Sequence, residues 1–157
     1  MTQPENQNSA FFCEREVITL SREGVWYSDG IEITHEGTRE LFFKSIRKVE
    51  GETFLQVGRE TYPITVEDTS LFVKGIHWEG QLSESTPHLT LSDGTREKLD
   101  PKTLRLVQCR LTCRVHEGTV EAKFLRNPYL ELLKEAELDP LHRPYLNISG
   151  DRITLDR

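Results

Sequence analysis

Apolar positions fall mainly into short alternating runs, the pattern of strands whose two faces meet different surroundings. Ile18-Thr19-Leu20 and Val25-Trp26-Tyr27, joined across Glu23-Gly24, predict a hairpin over 17–27, and Asp29-Gly30 turns the chain into a third extended stretch at Ile31-Glu32-Ile33. The period then changes. Leu41, Phe42, Ile46 and Val49 recur every three to four residues, which predicts a helix from His35 to Val49, capped by Thr34 and ended by Gly51. Residues 53–57 and 62–66 flank Gly58-Arg59-Glu60 as a second hairpin, with Pro63 expected at an edge or a strand start.

Residues 71–78 read as a strand, and Asp93-Gly94, between extended runs at 88–91 and 96–99, fits a type I′ turn. From Leu104 to Val115 the apolar phase shifts between Leu106 and Val107, so the segment is one bent strand or two, with Cys109 and Cys113 on one apolar face. Residues 120–124 form the return strand. Asn127 and Pro128 predict the cap and first residue of a helix running to about Glu137, with Tyr129, Leu132, Leu133 and Ala136 inward. A last hairpin joins 145–148 to 152–155 across Ser149-Gly150-Asp151.

The order extended pair, helix, extended pair occurs at 18–66 and again at 111–155. A duplicated unit accounts for it, because each helix covers apolar surface that neither hairpin buries alone. The expected fold is therefore α+β, with two related hairpin-helix-hairpin units, intervening antiparallel strands, and two helices packed on sheets. Residues 1–12 are expected as a flexible N-terminal arm and 13–70 as the first unit. Residues 71–157 are expected as linking strands and a second unit sharing a core with the first.

Composition narrows the function classes. A net charge of -6 over 157 residues disfavours binding to a phosphate backbone, so no nucleic-acid partner is expected. No apolar run is long enough to span a bilayer and no basic-then-apolar leader opens the chain, which makes the cytoplasm the expected compartment and a membrane partner unexpected. Three cysteines, Cys13, Cys109 and Cys113, are too few and too unevenly placed for a disulfide scaffold and read as reduced thiols.

Candidate chemistry is sparse. Cys109, Cys113 and His116 invite a metal reading, but on a strand the two thiols lie roughly 13 Å apart and the histidine faces away. Buried thiols packing as small hydrophobes fit better, and neither metal nor cofactor is expected. The phosphate-loop, dinucleotide, nucleophile-elbow and zinc-protease signatures are all missing from the chain. Binding candidates are the acidic corner Glu67-Asp68, His77 beside Trp78 in a groove, and Trp26, which with Tyr27, Phe72 and Trp78 makes either an aromatic strip or core.

Ile18-Thr19-Leu20-Ser21-Arg22-Glu23-Gly24-Val25-Trp26-Tyr27, the helix start Arg39-Glu40-Leu41-Phe42, and Tyr62-Pro63-Ile64-Thr65-Val66-Glu67-Asp68 together resemble the bacterial family called domain of unknown function 1285. The run from Thr119 to Leu133 is similar to that family's closing segment. Gly58-Arg59-Glu60-Thr61 departs from the family's proline and glutamate, and a Pro-rich loop and hairpin follow Ala136. The resemblance implies repeated α+β motifs and a link to signal transduction, with no catalytic residues to carry over.

Three functional readings result. The first is a non-catalytic binding or regulatory module that takes a protein or small-molecule ligand in a groove between its halves. The second is a small hydrolase or isomerase pairing His77 with Glu67 or Asp68. The third is an oligomeric structural protein associating through an unpaired edge or the aromatic strip.

Overall fold

The computed structural model describes residues 17–155, so the expected arm at 1–12 and Cys13 lie outside the described residues. The chain divides into two compact units at Ser70/Leu71. Among the described residues there are two α-helices, and no helix is long and apolar enough to cross a membrane.

The first unit holds β1 (Ile18–Leu20), β2 (Trp26–Ser28), β3 (Ile31–Glu32), α1 (Glu36–Ser45), β4 (Ile46–Val49), β5 (Glu52–Val57) and β6 (Glu60–Val66). Its sheet runs β3-β2-β1-β6-β5-β4, antiparallel throughout except for the parallel pair β1/β6. β1 meets β6 only at Ile64–Val66, so Pro63, just before that segment, sits where β6 has a single neighbour and its missing N–H breaks no ladder toward β1.

The first helix differs from expectation at both ends. His35 rather than Thr34 is the cap: its Nδ1 accepts from the Thr38 N–H at 3.1 Å. A side-chain cap is worth about 1 kcal/mol. The helix stops at Ser45, whose buried Oγ donates to the Leu41 carbonyl, and Ile46–Val49 is a strand paired with β5 through a Glu50-Gly51 turn in which both residues have positive φ. The spacing of Leu41, Phe42, Ile46 and Val49 suited one helix, but β-branched Ile46 and Val49 fit a pleated edge at least as well. The inward face is formed by the adjacent Phe42 and Phe43, which grip the Trp26 ring edge-on at 5.2 and 5.4 Å, while Leu41 is exposed.

The second unit holds β7 (Phe72–His77), β8 (His88–Leu91), β9 (Arg96–Lys98), β10 (Arg105–Val107), β11 (Arg110–Val115), β12 (Val120–Phe124), α2 (Arg126–Leu133), β13 (Glu137–Leu138), β14 (Pro144–Ile148) and β15 (Asp151–Thr154). Its main sheet runs β10-β11-β12-β7-β8-β9, and β13-β14-β15 form a separate three-stranded sheet. The core gathers Val73, Leu89, Leu91, Leu111, Val115, Ala122, Leu132, Leu146 and Ile148.

Two turns depart from the sequence reading. At Asp93-Gly94 the hairpin forms as expected, but only Gly94 is left-handed (φ +90), so the turn is not type I′; Gly94 N donates to Leu91 O. Gln108 and Cys109 (φ 52 and 67) make a two-residue turn that divides 104–115 into two strands and leaves Cys109 exposed, which overturns its expected place in the core. The second helix begins at Arg126, with Leu125 at the cap position; Asn127 does not cap, and buried Pro128 occupies the first turn, where an N–H would have no helical partner. It ends at Leu133, and Glu137 belongs to β13 instead.

The element order expected at 111–155 is present, and strand pairing adds a second repeat. Each six-stranded sheet consists of two antiparallel three-strand meanders joined by one parallel contact between the first strand and the last, β1 with β6 and β7 with β12. Residues 18–66 and 72–124 therefore share a topology, with α1 standing between the meanders of the first sheet and a single 3-10 turn, Pro101–Thr103, between those of the second.

Candidate functional site

The residues singled out from sequence fall into different settings. Trp26 is wholly buried, so it belongs to the core of the first unit and not to an exposed aromatic strip; its indole N–H has no hydrogen-bond partner. Glu67 accepts from the Arg22 backbone N–H at 3.1 Å and lies 3.9 Å from the Arg22 Nε, while its own N–H donates to the Leu20 carbonyl. The glutamate thus clamps the chain leaving β1 to the end of β6. Asp68 beside it is half-buried.

In the second unit Trp78 packs against the core, and His77, largely exposed at the end of β7, pairs with the still more open Glu79 at 3.1 Å. His77 and the Glu67-Asp68 corner belong to different units, and Glu79 is the carboxylate that pairs with His77.

His116, weighed from sequence only as a metal ligand beside the cysteines, is the most organised histidine, and its carboxylate partners were not anticipated. His116, left-handed in the β11–β12 turn, sets Nδ1 3.1 Å from Glu97 Oε1 and Nε2 3.4 Å from Asp93 Oδ2, and both Glu97 oxygens accept its backbone N–H at 3.1 and 3.0 Å. Asp93 in turn accepts from the N–H and hydroxyl of Thr95. Partial burial pushes the Asp93 carboxyl up, but the Thr95 and His116 contacts outweigh it and hold the group below its ordinary value. The cluster fastens two neighbouring turns. Nineteen positions separate Glu97 from His116, so no local motif announces it.

A carboxylate held low in the folded state stabilises above its ordinary value of 3.8, and that contribution is lost as pH falls through the lowered one. Asp93→Asn is therefore expected to lose stability at neutral pH and to unfold less steeply than the parent below 3.8. Circular dichroism across an acid titration reads both. An unchanged acid limb would remove Asp93 from that role.

Burial first, then the charges of Glu97, Asp100 and Glu121, push the Cys113 thiol up to about 12, so it packs as an apolar group and is a poor nucleophile. Exposed Cys109 lies by the hydroxyl of Tyr129 on α2, which burial first and then that thiol make harder to ionise, pushing its pKa up. Among the described residues no group of three or more His, Cys, Asp and Glu side chains is arranged to hold a metal ion. The two ring nitrogens of His116 point to opposite sides of the ring and cannot share one.

The remaining feature is at the sheet margins. The outer strands of the two six-stranded sheets are β3 and β4 in the first unit and β9 and β10 in the second. Three of them carry an aliphatic side chain at least half exposed: Ile31 at 73%, Val49 at 52% and Val107 at 50%. Val49 and Val107 occupy equivalent places, each immediately before a two-residue turn with both φ angles positive.

This topology is found in two solved structures. A DUF1285 family protein from Silicibacter pomeroyi DSS-3 matches with a TM-score of 0.67 and 20% identity, over 88% of this chain and 79% of that one. A second DUF1285 family protein, from Shewanella baltica OS155, matches with a TM-score of 0.57 and 20% identity, over 77% of this chain and 93% of that one. At that identity the likeness is one of fold, and it agrees with the resemblance seen in the sequence. No family model matches the chain, and no curated protein does.

Proposed function

We propose, with the fold of DUF1285 proteins as premise, that this chain is a non-catalytic binding or regulatory module, in a role such as signal transduction, that engages extended protein segments along the outer strands of its sheets. The observation that supports this reading most is the half-exposed aliphatic side chain on three of the four outer strands of the six-stranded sheets. An outer strand offers unpaired N–H and C=O groups to an added strand, and an exposed aliphatic neighbour supplies a side-chain contact. The histidines favour the same reading: His77 stands on the surface, and the carboxylates around His116 are engaged with main chain and Thr95.

Cross-linking the full chain to partners captured from native extract, with cross-linked peptides identified by mass spectrometry, tests it. Cross-links concentrated at 31–32, 46–49 and 105–107, and lost on charge substitution of Ile31, Val49 and Val107, are expected. Turnover of an ester or phosphate substrate that disappears in His77→Ala or His116→Ala would overturn the reading in favour of an enzyme. Concentration-dependent sedimentation without any partner would favour self-association.

A further inference from the structure

Strand β4 combines an open edge with a concentration of positive charge. Arg39, Lys44, Arg47 and Lys48 lie on the helix and strand with Glu40 the only carboxylate between Arg39 and Val49, in a chain whose net charge is -6. None of the four cations forms an ion pair among the described residues, and Lys44, Arg47 and Lys48 are exposed. Arg47 instead donates to the Lys44 and Ile46 carbonyls, at 3.0 and 2.9 Å.

Backbone geometry says which groups are open. In a hairpin closed by a two-residue turn the flanking pair, here Val49 and Glu52, exchanges hydrogen bonds, so the next pair, Lys48 and Thr53, points its N–H and C=O groups away from the partner strand. Lys48 therefore directs its amide and carbonyl outward at the sheet margin, as does Ile46, whose carbonyl is the one held by Arg47. A strand laid there meets main-chain groups at Lys48, an exposed Val49 and unpaired cations.

We propose that β4 is the docking edge for an extended, acidic segment of a partner protein, added as a further strand. The proposal rests on the recognition reading above and adds the edge and the chemistry of the partner. The equivalent outer strand β10 repeats the arrangement in weaker form, with exposed Lys102, Arg105 and Val107. Charge on an edge strand can also serve to repel other strands, and a purely protective edge would bind neither acidic nor basic segments.

Two capped peptides, one alternating glutamate with valine and one alternating lysine with valine, titrated into the full chain and followed by amide chemical shifts, separate these cases. The acidic peptide is expected to bind about tenfold more tightly than the basic one, to weaken with added salt, and to shift the amides of 46–49. Lys44→Glu/Lys48→Glu, both on the surface, is expected to reverse the preference. Lys48→Pro, which removes an outward N–H together with the Lys48 charge, is expected to abolish binding of the acidic peptide, and Lys48→Gln, which removes the charge alone, is expected to weaken it less. Equal binding of the two peptides, shifts elsewhere, or tighter binding of a single-stranded oligonucleotide would overturn the proposal. If the peptides fail while partner cross-links persist at β3 or β10, the assignment of β4 falls and the recognition reading stands. Loss of both would remove both.

Discussion

Trp26→Ala is expected to destabilise the first unit by about 3–5 kcal/mol, the range for truncating a buried aromatic side chain. The ring is wholly buried, and Phe42 and Phe43 contact it edge-on at 5.2 and 5.4 Å. Those contacts tie α1 to the sheet, and among the described residues of this unit the other wholly buried side chains are Leu20 and Leu55. Trp26→Phe is the informative companion. It keeps an aromatic face and removes an indole N–H that is buried without a partner, a group whose burial costs about 1–3 kcal/mol. The phenylalanine variant is therefore expected to lose less than half of what the alanine variant loses. Amide exchange within 18–66 measures both. Equal losses would mean that the indole N–H has a partner in solution and that Trp26 is held by a polar contact as well as by packing.

The elements most legible in the sequence are those whose determinants are local. Asp93-Gly94, Gly58 and Gly150 each fall in the turn of the hairpin expected there, since left-handed backbone selects few residue types. Gln108-Cys109 is left-handed at both positions without glycine or asparagine, so the alternation running through it placed Cys109 on the wrong side. The end of α1 was hidden for a different reason: Ile46 and Val49 satisfy the helical and the extended period over so short a stretch. Trp26 could be read as core or as surface from its neighbours alone, and only Phe42 and Phe43 folding over it decide the matter. Pairing between distant strands leaves no local mark at all. The parallel contacts that make 18–66 and 72–124 topological equivalents, and the open edges that follow from them, were for that reason out of reach.

Glu97→Ala is expected to cost about 2–3 kcal/mol, the largest effect among the charged residues, because its carboxylate makes charge-assisted hydrogen bonds worth about 1.5–3 kcal/mol. Both oxygens accept the His116 N–H, and one also faces Nδ1. Truncation leaves that N–H without its acceptor, because the turn is closed through the Thr119 N–H, which donates to the Val115 and His116 carbonyls, and not through the His116 N–H. His116→Ala keeps the backbone N–H and its bonds to Glu97 and loses only the ring, so it is expected to cost about 1 kcal/mol, the typical net value of a single hydrogen bond. The double variant is expected to cost less than the sum of the two, because the ring contact is counted in each. Denaturant unfolding of the four proteins closes the cycle. A strictly additive pair would break the link between Glu97 and the imidazole. A histidine variant as damaging as the glutamate variant would move the stabilising contact from the backbone to the ring, and with it the reason for a carboxylate at this position.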